Sequence, residues 1–128
     1  MGDRITISGN IQNSNLNIKS TLTNVQQMAG TIPGGDDASR KELQALIVQL
    51  NQALETVPQD LKEEAEAVAA SAQALVESAK AESPNKTLLQ ITGDGLKKAA
   101  GNLAEVAPAV IGIAGQVVTA VMRMNGLV

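Results

Sequence analysis

The stretches of this chain that could do chemistry are few and short. Gly93-Asp94-Gly95-Leu96-Lys97-Lys98 sets glycine amides beside two ammonium groups, the ingredients of an anion cradle at a helix start. The Walker spacing is absent and no strand pattern precedes the run, so a glycine-tolerant helix contact or a bend is expected instead. Asp60, Glu63, Glu64 and Glu66 form an acidic run. Without a histidine or a glycine-centred loop beside it, this run is expected to be a solvated helix face and not a divalent-metal site. Asn85-Lys86-Thr87 fits a glycosylation sequon, and Gly2 with Thr6 fits a myristoylation pattern. The first matters only in a secreted chain and the second only where the transferase exists.

Composition removes most other chemistries. Among 128 residues there is no Cys, His, Trp, Tyr or Phe, which excludes disulfides, thiol nucleophiles, Cys/His metal centres, histidine acid–base catalysis and aromatic stacking on bases. No Gly-x-Ser-x-Gly elbow or Ser-x-x-Lys at an apolar turn is present. No catalytic residue, cofactor or metal is therefore expected, and the chain reads as a non-enzyme. A net charge of -3 argues against nucleic acid as a partner. The lack of cysteine, and of an apolar run in Met1-Gly2-Asp3-Arg4, points to a cytoplasmic protein.

Aliphatic faces are what remain, with 44% of residues hydrophobic and none of these aromatic. A single small domain with such a core gains its stability in small increments, at about 25 cal/mol per Å² of apolar area buried. A second chain is a natural source of further burial, so the expected partner is another copy.

From Ile5 to Val25 the chain is rich in Asn, Ser and β-branched residues, with Lys19 its one charge. Ile5, Ile7, Gly9 and Ile11 alternate on odd positions, and Leu16, Ile18, Ser20 and Leu22 on even ones. This predicts two strands near 4–11 and 16–25 joined by a turn at Asn13-Ser14. A lone hairpin is marginal in water and leaves both edges unpaired. Ile5, Ile7, Ile11, Leu16, Ile18, Leu22 and Val25 are therefore the expected oligomer interface, with the hairpin folding back on its own helices as the competing arrangement. The expected organisation is a hairpin over 1–27, a Gly/Pro linker over 28–38 and a helical bundle over 39–128. The glycines of the linker would give the hairpin freedom of orientation.

The bundle is legible as stripes. Ser39 and Glu42 read as a capping box opening a helix whose packing face is Leu43, Ile47, Leu50 and Leu54. Beyond Pro58 a second helix carries Leu61, Val68 and Leu75 at the same spacing. The short break between the two predicts an antiparallel αα-hairpin. A third helix is expected over Leu88 to Leu103, interrupted or bent at Gly93-Asp94-Gly95. From Val106 to Met122 seventeen positions carry no charge, which reaches the lower edge of the about 17–25 residues of a membrane span. Val106, Val110, Ile113, Val117 and Val121 occupy one stripe, and Gln116, Thr119 and Pro108 dilute the apolar run. A buried central helix is the favoured reading over a membrane-inserting one, and Gly112 and Gly115 would permit close backbone approach in either setting.

The opening Gly2-Asp3-Arg4-Ile5-Thr6-Ile7-Ser8-Gly9, followed by Asn17 to Val25 and the Ala-rich helical part, resembles a group of short uncharacterised bacterial proteins. A similar opening recurs beside bacterial signalling and conflict-system modules. The resemblance implies a non-enzymatic interaction module, an accessory of such a system, and carries over no catalytic residue.

The fold class expected is thus α+β, mostly α, with an N-terminal β-hairpin ahead of an antiparallel bundle of three to four helices. The function expected is that of a self-assembling structural or adaptor protein using the strands and the apolar helix faces. The alternative is a membrane-active, pore-forming effector that uses residues 106–122.

Overall fold

The structure, a computed structural model, describes residues 7–81 and 83–127, with side chains from Leu16 onward. Five α-helices account for most of it: α1 (Ile7–Ala29), α2 (Asp37–Glu55), α3 (Lys62–Ala79), α4 (Lys86–Gly101) and α5 (Pro108–Met124), with a short 3-10 turn, Gln59–Leu61, before α3.

The expected β-hairpin is not there. Among the described residues no strand occurs, and the segment assigned to two strands is one 23-residue helix that runs straight through Asn13-Ser14. The fold is therefore all-α. The reason lies in spacing. Ile11, Ile18, Leu22, Val25 and Ala29 are separated by 7, 4, 3 and 4 positions, which is the stripe of a helix and coincides locally with period-2 alternation. Ile18, Leu22, Val25 and Ala29 are each at most 3% exposed. Burial of that stripe overrides the poor helix propensity of Asn, Ser, Thr and Ile.

Helix order around the bundle differs from order along the chain. α1 packs against both α2 and α3, α3 continues to α4, α4 to α5, and α5 returns to α2. The helices thus close a ring in the order α2, α1, α3, α4, α5. The expected α2–α3 hairpin is corrected by this arrangement, because α1 occupies the place between them. One continuous core fills the ring, including Leu22, Leu43, Leu50, Leu75, Leu96 and Val117, all at most 1% exposed.

The α1–α2 connection is fastened. Ile32 is fully buried, and Arg40 donates through Nη1 to the carbonyls of Ile32 (2.9 Å) and Gly35 and through Nη2 to Asp37 Oδ1 (2.8 Å). Gly34 lies so close to the end of α5 that a Cβ there would stand 2.7 Å from the Met124 carbonyl oxygen. Only glycine lets the two backbones meet. Gln44 Nε2 further donates to the Gln26 carbonyl at 3.0 Å, tying α2 to the last turns of α1.

Caps set the helix limits. Asp36, not Ser39, is the N-cap of α2, its Oδ1 accepting from the Ser39 amide at 2.8 Å. That hydrogen bond favours the carboxylate and holds the Asp36 acid below its ordinary range. Asn85 caps α4 in the same way, accepting from the Leu88 amide at 3.0 Å. α5 begins with Pro108, where a missing N–H costs nothing. It ends in a Schellman motif: the Leu127 amide donates to the Met122 carbonyl (2.9 Å) and the Gly126 amide to the Arg123 carbonyl (3.1 Å), with Gly126 at φ +74.

Candidate functional site

The stretches singled out for their chemistry that fall among the described residues each have a structural place. Gly93-Asp94-Gly95 lies inside α4, so its amides are spent on helix hydrogen bonds and cannot cradle an anion. The helix is also uninterrupted there, contrary to the expected break. Gly93 is a close contact: a Cβ on it would lie 3.1 Å from Met122 Cε and 3.2 Å from Val118 Cγ1 on α5. Gly95 faces open space. Asn85 of the sequon is the α4 cap. Asp60 and Glu63 are exposed at the start of α3, where carboxylates complement the positive end of the helix dipole. Among the described residues no group of three acids converges as metal ligands would. Gly2 and Thr6 lie outside the described residues.

Of the residues expected at an oligomer interface, Ile5 lies outside the described residues, and the side chains of Ile7 and Ile11 are likewise not described. Ile18, Leu22 and Val25 are buried against the protomer's own helices, while Leu16 is 61% exposed on α1. The strand-edge surface is thereby corrected: the helix satisfies its own backbone groups and turns three of these side chains inward. In α2, Leu43, Ile47, Leu50 and Leu54 are buried. In α3, Val68 and Leu75 are buried, and the preceding Leu61 packs half-buried on the core. Val110, Val117 and Val121 are fully buried, Ile113 is partly so, and Val106 is exposed in the turn before α5. No helix of the described residues is long and apolar enough to cross a membrane.

Lys62 is a group that sequence spacing did not single out. It sits at the start of α3 with only 5% of its surface exposed, and its Nζ donates to the Leu54 carbonyl at 3.3 Å near the end of α2. Burial lowers its pKa, against which the nearby Glu55 charge acts. The acidic run around it hid the signal.

The outer face of α5 carries a depression. A groove of about 450 Å³ is floored by Gly112, Gly115 and Thr119 and bounded by Glu42 of α2, by Lys97 of α4 and by Arg123 at the end of α5. α2 and α4 flank α5 on its two sides, so the acid and the base stand on opposite walls. Comparison with known proteins finds no family model, no curated protein and no solved structure that matches this chain. Any functional reading therefore rests on the molecule's own surface. That surface keeps large apolar side chains outward: Leu88 and Ile91 on α4 are 46% and 61% exposed. Three positions apart on one helix, they are neighbours on one face. Sequence spacing placed Leu88 in the third helix without indicating that the ring would leave it outside.

Proposed function

We propose that this protein is a non-enzymatic structural or adaptor module that works by helix-face association, with another copy of itself as the first partner. The carrying observation is the pair Leu88 and Ile91, left outward on α4 while the core of the bundle lies on its other faces. Single apolar residues on a surface need no explanation, and neighbours on one face form an apolar patch that a partner can cover. Unpaired strand edges no longer enter the argument, since α1 has none. A place beside a bacterial signalling or defence module belongs to the same proposal and rests on the likeness of the opening residues, and a cytoplasmic setting rests on the absence of cysteine.

Sedimentation equilibrium over a wide concentration range tests the reading. The expected result is a mass that rises above the 13.2 kDa of one chain and falls back when Ile91→Glu charges the α4 face. A mass that stays at one chain throughout refutes self-association.

A further inference from the structure

We infer that the groove over α5 is the seat of a two-fold contact with a second copy, in which the two α5 helices run parallel and each Glu42 meets the other copy's Lys97. This rests on the self-association proposed above and adds a contact on α5, a face other than the one that carries Leu88 and Ile91.

The floor supplies the close approach. Gly112 and Gly115 face outward on α5, and a Cβ built on either meets no atom within 4 Å. Neither glycine is therefore demanded by packing inside the protomer. A helix turning glycines to the outside presents bare backbone that another helix can reach. Thr119 continues the same face and is itself exposed.

The walls choose the partner and its direction. Glu42 and Lys97 flank the same groove from α2 and α4. Among the described residues neither forms an ion pair within its own chain, whereas Arg40 and Asp37 do, at 2.8 Å. A two-fold axis running along α5 in the contact plane places the α2 wall of one copy against the α4 wall of the other. Acid then faces base twice. An axis across α5 would make the helices antiparallel and put each wall against its own counterpart, acid on acid and base on base, which like-charge repulsion opposes. The Glu42 and Lys97 walls thus match in the parallel orientation and clash in the antiparallel one, as an isologous contact of this kind requires, and the two Arg123 side chains at the end of α5 must splay outward from the parallel contact.

Three sets of variants test this on the full chain. Gly115→Leu has room for its side chain in the protomer, so its thermal unfolding midpoint should not fall while association through this groove is lost. Glu42→Lys alone and Lys97→Glu alone should each weaken the dimer by roughly tenfold or more, and the double exchange should restore it. Because the chain has no cysteine, Gly112→Cys and Thr119→Cys report direction directly. Each should form a disulfide with its own copy, as a pair within about 7 Å can.

A dimer in which the double exchange does not recover, or in which Gly112→Cys couples to Thr119→Cys but neither couples to itself, overturns the parallel contact. An assembly indifferent to Gly115→Leu and Glu42→Lys but broken by Ile91→Glu overturns this groove while leaving self-association in place. A chain that never exceeds one protomer's mass overturns both.

Discussion

Gly93 and Gly95 sit two residues apart in α4, both well inside it, so the backbone gain from replacing either with alanine is the same, about 0.8–1.0 kcal/mol. Their surroundings differ. At Gly95 the new methyl enters open space, and Gly95→Ala should stabilise by the full amount. With an unfolding entropy of about 2.1 cal/mol/K per residue over this chain, that raises Tm by about 3–4 °C. At Gly93 the methyl arrives 3.2 Å from Val118 Cγ1 and 3.1 Å from Met122 Cε. The thioether end of Met122 can swing away, but Val118 is stiff at χ1 and nearly buried. Overpacking of this kind costs about 1–3 kcal/mol, so Gly93→Ala should fall at least about 4 °C below Gly95→Ala. Gly93→Val, with two more methyls and poorer propensity, should be destabilised outright. Calorimetry of the three variants decides it. Equal Tm shifts for the two alanine variants would refute the α4–α5 seam described above.

Leu22→Ala, at a site 1% exposed on α1, should cost about 2–5 kcal/mol in chemical denaturation. Leu16→Ala, at 61% exposure on the same helix, should stay within about 0.5 kcal/mol. Asn85→Ala should lose about 1 kcal/mol by removing the α4 cap, with Asn85→Asp retaining it. Lys62 has a folded pKa below its ordinary 10.5, so the unfolded chain binds more protons between the two values and its contribution to stability rises with pH across that window. The stability of the wild type relative to Lys62→Met should therefore increase as pH is raised toward 10.5, as read from urea midpoints at matched ionic strength. Gly126→Val should lower Tm because φ +74 strains a β-branched residue.

The apolar stripes of α2 and α3 are legible because polar residues and alanine fill most of the positions between them, and that of α5 because glycine, alanine, Gln116 and Thr119 dilute an uncharged run. α1 is not. Its intervening positions are Asn, Ser and Thr, which favour turns and strands when considered locally, and Ile5, Ile7, Ile11 mimics alternation until Ile18, Leu22 and Val25 are counted in the same series. The α2 cap was misplaced by three residues, since Asp36 and Ser39 are both capping types and only the backbone decides between them. Neighbourhood in space was beyond reach: a short link between α2 and α3 suggests direct packing, and nothing local says that α1 takes the place between them. For the same reason the groove was half visible. Gly112 and Gly115 were apparent as points of close approach, but the opposed walls belong to helices about fifty residues apart.

The circular arrangement of helices has a bearing on how the molecule is made. A ribosome delivers α1 to α4 before α5, yet α5 is the stave between α2 and α4. Until α5 emerges, the ring gapes along that line, with Gly93 of α4 on one lip. The nascent chain therefore cannot finish folding by stages as it leaves the tunnel. It waits, greasy side open, for α5, and any early stop codon ahead of Pro108 condemns the product to remain ajar.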